Sequence, residues 1–92
     1  MERIEGYKIA LSEQLSKEQM YLMVALAETP EVITYPGIAS EPEEERAVTI
    51  ARWIRVNERG GTRPISYPKE IFKWTPKLMD NIKKVRERYE NS

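Results

Sequence analysis

Apolar residues recur at helical spacing in three stretches of the chain. Within residues 17–28, Met20, Met23, Val24 and Ala27 share one face, while Leu22 and Leu26 fall almost opposite. A helix that is apolar on most sides belongs at the centre of a core or against a partner. Ser16 followed by Gln19 makes a capping box at its start, satisfying amides with no partner inside the helix. Thr29-Pro30 ends it, because the residue before a proline is pushed out of the α region.

The second stretch places Ala47, Ile50, Ala51 and Ile54 at i, i+3, i+4 and i+7, a stripe that faces a core. Ser40 is read as its N-cap, with Pro42 in the first turn and Glu43 completing a Ser-x-x-Glu box. Gly60-Gly61, followed by Pro64, supplies a left-handed stop. In the third stretch Thr75 caps and Pro76 opens a helix running to about Tyr89. Leu78, Ile82, Val85 and Tyr89 form its stripe, with Met79 at the edge.

Between these helices the pattern is weaker. Residues 3–11 alternate, with Tyr7, Ile9 and Leu11 on one side and Lys8 and Ala10 on the other, which predicts an N-terminal strand or extended arm. Residues 29–40 form a connector in which Val32–Tyr35 is expected to pair as a short strand. Pro68–Trp74 is read as a short helical turn carrying Ile71, Phe72 and Trp74. The expected fold is mainly α: a small three-to-four-helix domain with a short N-terminal strand or hairpin, α+β being the alternative. The 92 residues are expected to make a single domain, 1–92, with an arm at 1–15 and a helical core at 16–90.

Composition narrows the chemistry. The chain has no Cys and no His, which removes disulfides, thiolate nucleophiles, imidazole acid–base work and the usual zinc sites. No metal, no cofactor and no catalytic residue is assigned, and the protein is expected not to be an enzyme. Its N-terminus lacks the apolar core of a signal peptide, and no stretch approaches a membrane span, so a cytoplasmic location is expected.

Charge adds an asymmetry. The net charge is zero, yet residues 1–45 hold ten Glu against Arg3, Lys8 and Lys17, whereas residues 46–92 hold twelve Lys and Arg against five acids. Glu41, Glu43, Glu44 and Glu45 are explained by the positive end of the helix dipole. The basic half is less easily explained. Arg52, Arg55 and Arg59 occupy one strip of the second helix about 60° wide, with only Glu58 near Arg55 to offset them. Lys77, Lys84 and Arg88 align on the third helix, where Asp80 and Lys84 make a favourable i,i+4 pair. The loop between them carries Arg63 and Lys69 and adjoins Tyr67, Phe72 and Trp74. Its Gly-Gly does not match a phosphate-binding loop, and residues 68–90 fit a helix-turn-helix poorly.

These features predict a small non-catalytic regulator or inhibitor. It would bind an acidic protein surface through Arg52, Trp53, Arg55, Arg59, Arg63, Lys77, Lys84 and Arg88, since exposed Arg and Trp together make interface hot spots. The alternative is a nucleic-acid-binding regulatory protein using the same face, against which the sequence pI near 6.3 counts. A homodimer through the apolar helix 17–28 is a further expectation, and no membrane partner is foreseen. Small stand-alone domains of this kind serve viruses and mobile elements as well as hosts.

Overall fold

The computed structural model describes residues 5–58 and 70–91. It is mainly α, as the periodicity predicts. Five α-helices appear among the described residues: α1 (Gly6–Glu13), α2 (Lys17–Ala27), α3 (Pro36–Ala39), α4 (Glu43–Glu58) and α5 (Pro76–Glu90). A 3₁₀ turn, Pro30–Val32, follows α2.

The helix α2 is the hub. Helices α1, α4 and α5 all pack against it, and Met20, Tyr21 and the run Met23–Ala27 are buried. Its capping box forms as expected: the Ser16 amide donates to Gln19 Oε1 (2.8 Å) and the Gln19 amide donates to Ser16 Oγ (3.1 Å). Of the two places open to a helix apolar all round, α2 takes the core. Its apolar surface is covered within the chain, apart from half-buried Leu22, which leaves little of it for the homodimer expected through this helix.

Residues 6–13 are a helix, not the expected strand or extended arm. Gly6, Ala10 and Glu13 form the buried side, a spacing of four and three that fits α and not β periodicity. Gly6 is needed where it stands, since a Cβ there would come within 2.6 Å of Tyr89 Oη and 2.9 Å of Val24 Cγ2. Gln14 ends α1 in the left-handed region at φ 60°. Its amide donates to Leu11 O (3.2 Å) and the Leu15 amide donates to Ala10 O (2.8 Å), the two bonds of a Schellman ending.

Helix α4 buries the predicted stripe Ala47, Ile50, Ala51 and Ile54. Ser40, however, does not cap it. Ser40 closes α3 instead, its hydroxyl donating to Gly37 O (3.4 Å). The ladder of α4 begins with the Arg46 amide donating to Pro42 O (2.8 Å). The expected Gly60-Gly61 stop lies outside the described residues.

Arg46 turns inward from α4 and is only 8% exposed. Its Nε donates to Ala27 O at 2.9 Å, its Nη2 donates to the same oxygen, and its Nη1 donates to Glu41 O at 2.6 Å. The guanidinium therefore sits on the last carbonyl of α2, at the negative end of that helix dipole, and ties α2 to the chain leading into α4.

Residues 70–75 are not the short helical turn expected. Phe72 makes an isolated antiparallel bridge with Ile33, framed by Thr34 N to Ile71 O (2.7 Å) and Lys73 N to Val32 O (3.0 Å). The strand expected at Val32–Tyr35 is reduced to this bridge, because Pro30 opens a 3₁₀ turn and Pro36 starts α3. Helix α5 begins as predicted, with Thr75 Oγ1 accepting from the Leu78 amide at 3.1 Å. Leu78 and Val85 are buried, Ile82 and Tyr89 pack beside them, and Met79 stays exposed. The helix lies antiparallel to α2, held by Asn81 Nδ2 to Thr29 Oγ1 (2.6 Å) and Tyr21 Oη to Glu90 Oε2 (3.3 Å). Burial, and then the Glu90 carboxylate, push the Tyr21 phenol above its ordinary pKa. At the same end Tyr7 stacks edge-on against Tyr89, with centroids 5.1 Å apart. No described helix is long and apolar enough to cross a membrane.

Candidate functional site

The arginine row of α4 finds its acid in α1. Glu13, 8% exposed, sits beneath α4 with Oε2 3.5 Å from Arg52 Nε and Oε1 3.3 Å from Arg55 Nη1. The first half thus supplies the counter-charge through an element that strand-like alternation concealed. Arg59 and Arg63 lie outside the described residues. Glu13→Ala is expected to cost about 1 kcal/mol, because the two arginines are roughly half exposed and recover hydration when freed. Thermal unfolding followed by circular dichroism should show Tm falling by roughly 4–8 °C. An unchanged Tm would mean that the pair does not hold α1.

The basic strip on α5 is answered in the same way. Lys77 pairs with Glu31, Lys84 with Asp80 (3.0 Å) and Arg88 with Glu28 (2.9 Å). The hydrogen bond from Lys77 lowers the Glu31 pKa. Arg86, which drew no attention in the sequence, pairs with Glu18 (2.9 Å), and that hydrogen bond raises its pKa. Helices α4 and α5 each pack on α2. The two strips are met by different acids, Glu13 on α1 for Arg52 and Arg55, and Glu28, Glu31 and Asp80 for the cations of α5.

The structure does assemble an aromatic edge. Trp53 on α4 meets Phe72 edge to face, with ring centroids 5.9 Å apart, and Phe72 meets Trp74 in the same manner at 5.2 Å. Trp53 and Phe72 are half-buried, whereas Trp74 is 62% exposed. A hollow of about 470 Å³ runs along these rings, lined by Trp53, Glu70, Ile71, Phe72, Lys73 and Trp74. Of the described residues expected to bind a partner, only Trp53 belongs to it. The signal in the sequence was the i, i+2 spacing of Phe72 and Trp74, which puts both rings on one side of an extended segment.

Two further hollows flank Val48 and Arg52, one reaching Glu41, Glu44 and Glu45 and the other Lys8 and Glu13. Thr49 donates to Glu41 Oε2 at 3.2 Å. Among the described residues no three acids are grouped so as to hold a metal ion.

The fold and this edge define a small helical domain presenting an exposed tryptophan beside an extended segment. No family model matches the chain, and no curated protein or solved structure matches it either.

Proposed function

We propose that this protein is a small non-catalytic regulator or inhibitor that binds a partner protein through the aromatic edge Trp53–Phe72–Trp74. The observation that carries this is Trp74, a large ring left mostly in water and braced by Phe72 in an edge-to-face contact. A rigid exposed tryptophan beside a hollow supplies contact area at little conformational cost, and such rings dominate binding energy at interfaces. Absence of His and Cys leaves the edge without the usual nucleophiles and bases.

The basic strips support a nucleic-acid role less well. Arg52, Arg55, Lys77, Lys84 and Arg88 each face a carboxylate of the chain itself. Phosphate binding would have to displace those acids before any counterion release could drive it. The same pairing argues against the acidic partner expected from the Arg row, and moves the contact to the rings.

A photo-crosslinking amino acid placed at position 74, with position 83 as control, tests the proposal in the cells that make the protein. A discrete adduct is expected from 74 and not from 83. Purified partner should bind Trp74→Ser at least about tenfold more weakly than the parent chain, as loss of a hot spot implies. Equal adducts at both positions, or equal affinity for Trp74→Ser, would refute it.

A further inference from the structure

Building on the protein-binding role proposed above, we infer that residues 70–74 take up an extended peptide as an added antiparallel β-strand. That strand carries an apolar residue opposite Phe72, an acid opposite Lys73 and a base opposite Glu70.

The backbone sets the first requirement. Ile71 C=O accepts from Thr34 and Lys73 N–H donates to Val32, so residues 71 and 73 turn their polar groups toward the 32–34 segment. In an extended chain successive residues alternate, which turns the N–H and C=O of Phe72 the other way. Neither group makes a hydrogen bond to any described residue. An extended edge with an open donor and acceptor is a template for a further strand, whose backbone supplies affinity while its side chains supply choice. The hollow beside Trp53, Phe72 and Trp74 runs along this same segment, so a strand there would place an apolar side chain among the rings.

Charge sets the second requirement. Glu70 and Lys73 are both exposed, and neither forms an ion pair among the described residues, unlike Lys77, Lys84, Arg86 and Arg88 of α5. In antiparallel pairing, the residue before the one opposite Phe72 faces Lys73, and the second residue after it faces Glu70. The fitting order is therefore acid, apolar, any residue, base. A second copy of this chain satisfies that order poorly. Backbone alternation pairs outward-facing residues only with one another, which excludes the register that would set Glu70 against Lys73; centred on Phe72, two copies set Glu70 against Trp74 and Lys73 against Ile71, leaving both charges unmet. A foreign strand is the better occupant.

The test uses the full chain and a fluorescein-labelled peptide, Thr-Thr-Asp-Phe-Thr-Lys-Thr, followed by fluorescence anisotropy. Saturable binding is expected. Methylating the amide nitrogen of the peptide's Phe removes the donor to Phe72 C=O and should weaken binding at least about tenfold. Lys73→Glu should weaken it several-fold, and a peptide with Lys in place of Asp should restore it to that variant, as expected for an exposed charge pair. Equal binding of the N-methylated peptide, better binding of the charge-reversed order to the parent chain, or no saturation at millimolar peptide would overturn the strand. If the N-methylated peptide binds equally while Trp74→Ser still loses its partner, strand addition fails and the aromatic surface stands. If Trp74→Ser retains its partner, both fall.

Discussion

Replacing Arg46 with methionine is expected to destabilise the fold by roughly 2–5 kcal/mol, from the carbonyls of Ala27, Ala39 and Glu41, which lose their guanidinium donor. Methionine matches the length of the arginine stem and refills most of its volume, so the loss is in hydrogen bonding rather than packing. Ala27 O receives two bonds from the guanidinium and Glu41 O one short bond. Burying the cation has its own desolvation cost, which methionine removes. Here that cost is offset by the end of the α2 dipole and by donors that fan out to separate carbonyls. Lysine keeps the charge but presents one compact ammonium in place of a planar fork. Arg46→Lys should therefore fall between the parent chain and Arg46→Met. Urea unfolding monitored by tryptophan fluorescence measures both. A methionine variant within about 0.5 kcal/mol of the parent, the usual span of neutral surface changes, would show that the buried guanidinium contributes nothing net.

The second large effect is an asymmetry within α2. Leu26 has no exposed surface and Leu22 is half-buried. Leu26→Ala should cost about 2–5 kcal/mol, the range for emptying a packed leucine site. Leu22→Ala should cost roughly 1 kcal/mol, since only part of its apolar area leaves water on folding. The pair of variants separates a helix buried by its own chain from one buried by a second molecule. In the first case the ranking holds at every protein concentration and Tm does not depend on concentration. In the second, Tm rises with concentration by mass action, and Leu22→Ala becomes the more damaging change. Thermal unfolding over a wide concentration range decides between them.

Where local chemistry agreed with the final packing, the helices could be read directly. The Ser16–Gln19 box, the Thr75-Pro76 start and the stripe from Ala47 to Ile54 each combine a cap or a period with burial in the same place. Helix α1 escaped because neither end advertises itself. Glu5 offers no capping bond, and its left-handed ending falls on Gln14, where a glycine would have marked it. With Tyr7, Ile9 and Leu11 spaced two apart, alternation outweighed the four-residue repeat of Gly6 and Ala10. The same alternation conceals the acid of the Arg row, since Glu13 reaches Arg52 and Arg55 only if residues 6–13 are helical. Arg46 was invisible for another reason. An arginine in the first turn of a helix ordinarily faces water, and nothing local signals that the end of α2 lies beneath it. Phe72 and Trp74 stood out by type, but not by geometry, because the bridge to Ile33 joins segments about forty residues apart and leaves no period in either.

The contact between Tyr7 and Tyr89 has a consequence for the order in which the chain can fold. These rings, with Gly6 tucked beneath one of them, join residues 82 positions apart. The face of α2 that carries Tyr21 is covered by α5, which leaves a ribosome after α1–α4. Until α5 emerges, that apolar face lacks this cover, although α2 is complete about fifty residues before α5 begins. Closing so long a loop precedes any reward from the contact, so docking of α5 is placed late in folding. During that interval the exposed side of α2 is the surface on which the nascent chain is open to misassociation.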